Sequence, residues 1–91
     1  MFYVYILKSE SSSKHYIGSS SDLARRLADH NRGKVIATRN KGPWIIVYSE
    51  EFFSRNEAVK REYQIKTYKG GNAFKALFEV VPLRRDLSDK I

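Results

Sequence analysis

Two unbroken apolar runs and three periodic stretches, separated by polar turns, make up most of the chain. The first run, Phe2-Tyr3-Val4-Tyr5-Ile6-Leu7, is rich in strand formers and shows no polar alternation, which predicts a central strand buried on both faces. Ser9 to Lys14 is a turn by composition, and His15-Tyr16-Ile17-Gly18 is short enough to be the returning strand of an antiparallel hairpin. Gly18 is expected to end that strand, where the backbone bends or meets a close neighbour. The second run, Trp44-Ile45-Ile46-Val47-Tyr48 after Pro43, predicts a third strand.

The periodic stretches predict helices. Ser19-Ser20-Ser21-Asp22 offers several N-cap oxygens, after which Leu23, Ala24, Leu27 and Ala28 recur as a buried stripe, with Gly33 as the stop. Arg26 and His30 are four apart and project from one face. Ser54, with Glu57 three residues on, is a capping box that opens a second helix. Along it Ala58, Glu62 and Ile65 share one side, with Val59 and Tyr63 beside them, and Gly70-Gly71 ends it. Asn72 is expected to cap a last short helix whose apolar side is Phe74, Leu77 and Phe78, stopped by Pro82. Lys34 to Gly42 has no periodicity and reads as a mobile, electropositive loop. The order β-β-α-β-α-α predicts an α+β layer of three strands covered by helices, one domain over residues 1–81 with a charged tail at 82–91.

Ninety-one residues fit one small domain. The absence of cysteine removes disulfides, thiolate zinc sites and cysteine nucleophiles together and fits a reducing cytoplasm, the expected location. Two histidines are too few for a histidine-rich metal site, so any metal would rest on oxygen ligands and be of the magnesium type. A formal charge of +7, from 17 Lys+Arg against 10 Asp+Glu, points to a polyanionic partner, nucleic acid before an acidic membrane surface. No stretch approaches the ~18–20 apolar residues of a spanning helix, and the N-terminus lacks the features of a signal peptide.

An inward-facing carboxylate at Glu62 requires a partner. A salt bridge to Arg25 or Arg26 would satisfy it; so would a magnesium-type ion, which keeps most of its waters and uses one or two protein carboxylates. Arg26 would then neutralise charge on a phosphate. Tyr5 and Tyr16 are packing residues in most strands, and a phenol, with its usual pKa of ~10, is a poor base near neutral pH unless cations lie beside it. His30 either takes up a proton, orients a phosphate, or is an ordinary surface residue of its helix.

Taken together, Tyr3-Val4-Tyr5, then Tyr16-Ile17-Gly18 eleven residues after Tyr5, then Asp22-Leu23 and Arg26-Leu27, resemble the signature of the GIY-YIG endonuclease superfamily. The likeness is to its small single-domain bacterial branch, related to the N-terminal nuclease domain of the DNA-repair excinuclease. Ser54-Arg55-Asn56-Glu57-Ala58 and the Lys60–Lys66 helix are also typical of that branch, so the resemblance runs from Phe2 to about Phe78. It implies a three-stranded antiparallel sheet flanked by helices and metal-dependent cleavage of phosphodiesters. By motif, Tyr16 matches the general base on water and Tyr5 the tyrosine that positions or activates the nucleophile. Arg26 matches the arginine that stabilises the phosphate, Glu62 the metal-ligating glutamate, and His30 a site histidine. Tyr3 replaces the glycine of the first motif, and Ser19 follows Gly18 where some relatives carry lysine. Asn72 is a candidate for the family asparagine beyond the metal helix, although capping is its other role.

The function expected is therefore a Mg²⁺- or Mn²⁺-dependent endonuclease acting on DNA, in repair or recombination, with RNA left open as a substrate and no membrane partner. Arg25, Arg32, Lys34, Arg39 and Lys41 would follow the nucleic-acid backbone. The alternative is a nucleic-acid-binding module that keeps the fold without cleaving. A complete set of Tyr5, Tyr16, Arg26, His30 and Glu62 favours the enzyme.

Overall fold

The unbroken apolar run becomes β1 (Phe2–Ser9), the middle strand of a three-stranded antiparallel sheet. The computed structural model describes residues 1–79; the tail expected at 82–91 lies outside them. β2 (His15–Ser20) pairs with one edge of β1 and β3 (Trp44–Phe52) with the other. With a neighbour on each side and layers above and below, Val4, Tyr5, Ile6 and Leu7 are all buried, as an apolar run without alternation requires. β2 does not end at Gly18, which sits mid-strand opposite Tyr5.

Alternate residues of β1 serve two cores. Val4 and Ile6 join Ala58 and Ile65 of α2 (Arg55–Lys66) and Phe74 of α3 (Asn72–Phe78). Tyr5 and Leu7 face the other way, toward Trp44, Tyr16 and the Leu23 and Leu27 side chains of α1 (Leu23–Asn31). β3 carries an extra residue: Ile6 pairs with Tyr48 but Leu7 with Ile46, so Val47 is bulged. The bulge lets Val47 and Tyr48 both pack on the first core although they are adjacent in sequence.

The helix starts follow the expected chemistry at two of three places. Asp22 caps α1 by accepting from the Arg25 N–H at 3.1 Å, and Ser54 and Glu57 form the reciprocal capping box of α2. Asn72 is not a cap; it is the first residue of α3, behind Gly71, and no side chain caps that helix. α2 stops at Lys66, before Gly70 takes its positive φ of 75°. Two stripes need correcting. Ala24 is exposed and the one fully buried residue of α1 is His30; on α2, Tyr63 points out to water. A hydrophobic stripe read at helical spacing misses these because a small sheet covers only part of each helix.

The segment between α1 and β3 is not the irregular loop expected. It contains a single 3₁₀ turn, Ile36–Thr38, and is tied down at both ends. Trp44 donates its indole N–H to the Thr38 carbonyl at 3.1 Å, and the Asn31 side chain bonds both the N–H (2.7 Å) and C=O (3.1 Å) of Trp44. Ser9 Oγ donates to the Lys41 carbonyl at 2.7 Å.

Candidate active site

Gly18 fixes the centre of the site. It lies directly across from Tyr5 in the hairpin, and a Cβ there would stand 2.6 Å from the Tyr5 hydroxyl oxygen and 3.0 Å from the Tyr16 ring. The missing side chain is the space the Tyr5 hydroxyl occupies. From that space a chain of polar groups runs inward: Tyr5 Oη to His30 Nε2 at 2.9 Å, His30 Nδ1 to Thr38 Oγ1 at 2.8 Å, and Thr38 Oγ1 to the Val35 carbonyl at 3.4 Å. The last acceptor sets the directions. Thr38 donates to the carbonyl, so it accepts from His30 Nδ1–H, which leaves Nε2 to accept the Tyr5 proton.

All three side chains are buried. Burial pushes the Tyr5 phenol up to about 12, only partly opposed by the hydrogen-bonded Arg26. Burial, then the Arg26 charge, lowers the pKa of His30, so the ring is neutral at neutral pH, as the bond directions require. Arg26 is held more firmly protonated than usual, first by hydrogen bonding to Tyr5. Tyr5 is therefore a hydrogen-bond donor and a support for Arg26; it is badly placed to activate a nucleophile by losing its proton. His30 is neither a surface residue nor a free proton acceptor.

Tyr16 packs over the same centre but stays partly exposed. Its ring lies 4.8 Å from His30 and 6.4 Å from Tyr5, centroid to centroid. Tyr5, Tyr16, Arg26 and His30, drawn from two strands and one helix, thus meet on one side of the sheet.

Glu62 approaches from the α2 side, around the edge formed by β2. Its Oε1 accepts from Ser19 Oγ at 2.8 Å, and its Oε2 pairs with Lys66 Nζ at 2.8 Å. The partner is neither Arg25 nor Arg26. The carboxylate keeps 17% of its side-chain exposure, so it is half-buried. It is near enough for its charge to contribute to the raised Tyr5 value, while Lys66, held protonated mainly by Glu62, also feels Tyr16. Among the described residues no three His, Cys, Asp or Glu side chains group as a metal cage. One carboxylate with an exposed edge suits a hard, largely hydrated cation, and a lysine ammonium already occupies that edge.

Ser19, Thr38 and Lys66 were missed from sequence. Lys66 could have been found as the residue four after Glu62. Ser19 needed the register that sets it opposite Val4, and Thr38, in an aperiodic segment, carried no signal. The expected nucleic-acid contacts, Arg25, Arg32, Lys34, Arg39 and Lys41, are all exposed. Arg32 is paired with Asp29 at 2.9 Å, and Arg39 Nε donates to the Gly33 carbonyl at 3.0 Å. The end of α1 and this segment border a groove of about 500 Å³ lined by His30, Arg32, Thr38 and Asn40.

The family model of the GIY-YIG catalytic domain matches residues 1–74. A UPF0213 protein of Staphylococcus haemolyticus is 40% identical over 78 residues, covering 85% of this chain and 94% of that protein. One from Staphylococcus saprophyticus is 37% identical over the same shares. The solution NMR structure of a UPF0213 protein from Bacillus halodurans is 32% identical, covering 84% of this chain and 94% of that one, with a TM-score of 0.43.

Proposed function

Because the chain belongs to the GIY-YIG catalytic domain family, a family of nuclease type, we propose that it is a metal-dependent endonuclease hydrolysing DNA phosphodiester bonds. The observation that carries this is the convergence of Tyr5, Tyr16, Arg26 and His30 around the side-chain-free Gly18, with the Glu62 charge within reach.

Each residue has a part its surroundings allow. Tyr16, the partly exposed phenol, takes the proton of the attacking water. Arg26 meets the phosphate and stabilises the negative charge that develops on it. Tyr5, His30 and Thr38 hold Arg26 in place: the phenol gives its proton to the His30 hydrogen bond and turns its oxygen toward the guanidinium. Glu62 would hold Mg²⁺ or Mn²⁺ once Lys66 moves aside, and the bound ion would supply charge to the departing 3′ oxygen.

A second reading, a binding module without cleavage, gains from one observation. Glu62 has structural partners of its own, since Ser19 and Lys66 let it tie α2 to β2. The two are separated by incubating flapped, branched and plain DNA with the protein, with and without Mg²⁺ or Mn²⁺, beside Tyr16→Phe and Glu62→Gln. The enzyme requires metal-dependent cutting that falls by about 10²-fold or more in both variants. Binding without cutting establishes the module instead, and equal cutting by all three proteins overturns the enzyme built on Tyr16 and Glu62.

A further inference from the structure

Ile36 is 80% exposed at the first position of the 3₁₀ turn, with Ala37 exposed beside it and Val35 on its other side. A single exposed isoleucine is ordinary. Two things make this one unusual: what surrounds it and how firmly it is held. Lys34, Arg39 and Lys41, all exposed, flank the apolar tip in sequence, and Lys41 Nζ donates to the Ala37 carbonyl at 3.3 Å. Beneath the tip, Thr38 N–H and Oγ1 bond to the Val35 carbonyl, Trp44 bonds to the Thr38 carbonyl, and the Arg39 guanidinium bonds back to Gly33.

We propose that Val35–Ala37 is an apolar knuckle that inserts into the base stack beside the scissile phosphate, so that the preferred substrate is DNA whose stack is already interrupted by a nick, mismatch or branch. The inference rests on the endonuclease reading and gives it a substrate class. A stiff apolar tip flanked by exposed cations complements a partner that is anionic outside and apolar within, and base pairs flanked by phosphates have that form. An anionic membrane shares the same outline. Nucleic acid is favoured because Thr38, next to Ala37, is hydrogen-bonded to His30, which sets the knuckle beside the candidate site. The apolar area of one isoleucine is also too small for a stable membrane anchor. Parting an intact base step costs about as much as burying one isoleucine returns, whereas an interrupted step is already parted.

The test uses the whole chain without divalent metal, so that nothing is cut, and 2-aminopurine placed next to a nick or mismatch. The wild-type protein is expected to raise the fluorescence on binding, and Ile36→Leu to keep the rise. Ile36→Ser is expected to lose it and to bind the interrupted duplex about tenfold more weakly, while binding an intact duplex within about twofold of wild type. Equal melting of the three proteins shows that the fold is unchanged. An identical fluorescence rise and identical preference in Ile36→Ser overturn the knuckle. So does a loss confined to phosphatidylserine vesicles. Stack opening without cleavage when Mg²⁺ is restored would sink the nuclease and leave the knuckle; cleavage with no effect of Ile36→Ser would do the reverse.

Discussion

The Tyr5 hydroxyl fills the place of a Gly18 side chain, and it has nowhere else to go. Gly18→Ala must therefore shift a buried phenol that holds Arg26, and the expected cost is about 1–3 kcal/mol by urea denaturation, with cleavage lost as well. Tyr5→Phe leaves the space intact but strands His30 Nε2 and loosens Arg26. It should cost roughly 1–2 kcal/mol and weaken cleavage with little change in DNA affinity, read from kcat against Kd. His30 adds a pH dependence whose sign follows from its lowered pKa. The unfolded chain takes up the proton first, so the neutral ring's contribution is complete above the ordinary value of 6.5 and is lost as pH falls through the folded value. Melting temperature should be level above that value and decline below it; His15, also lowered by burial and by Lys8, adds to the same decline. In His30→Gln the decline should be shallower, and an unchanged profile would mean that His30 does not set it. Tyr5, Tyr16, Arg26 and His30 stood out in sequence through the resemblance to the GIY-YIG signature, whose motif spacings they match; taken alone, the tyrosines and the histidine left packing roles open. The raised pKa of Tyr5 and the lowered pKa of His30 were not legible, since burial depends on which elements close over them.

Elements with a continuous apolar run or a complete cap were readable, and those shaped by tertiary contacts were not. The capping box of α2 appears as Ser54 and Glu57 imply, because its partners are local in sequence. The bulge at Val47 and the extension of β3 to Phe52 depend on pairing with β1, which the run Trp44–Tyr48 does not encode by itself. The same applies to the link from β3 to α2. Glu50 accepts from Arg61 Nε and Nη2, both at 2.9 Å, and from the Tyr48 hydroxyl, a cluster distant in sequence and half-buried. Glu50→Ala leaves Arg61 and Tyr48 without their acceptor. It is expected to destabilise the domain by about 1–3 kcal/mol and to lower Tm by on the order of 5–10 °C, while leaving the residues around Gly18 in place. α2 also carries the Glu62–Lys66 pair, in which Lys66 holds the edge a cation would need. Lys66→Gln should tighten Mn²⁺ binding about threefold to tenfold, measured by electron paramagnetic resonance of the free ion; equal or weaker binding would argue against Glu62 as the ligand.

At the scale of the whole molecule the charge is unevenly placed, and its placement can be tested apart from the chemistry. The chain carries +7, and among the described residues no helix is long and apolar enough to cross a membrane. Arg25, Lys34, Arg39 and Lys41 lie on α1 and the segment after it, beside the candidate site, and Arg32 joins them with part of its charge offset by Asp29. Each phosphate neutralised on a DNA duplex releases counterions, which contributes about 0.9 to the slope of log K against log salt. If Lys34, Arg39 and Lys41 each meet a phosphate, replacing all three with glutamine should lower that slope by about 2–3 and weaken binding most at low salt. Arg26→Ala should lower the slope by no more than about 1, because it removes a single charge, yet it should abolish cleavage. The two variants thus pull apart. A triple variant that binds with the wild-type slope would place the nucleic acid elsewhere on the surface. An Arg26→Ala protein that loses slope and keeps its cleavage would make Arg26 another backbone contact, and the convergence around Gly18 would then describe a packed hairpin rather than a reactive one.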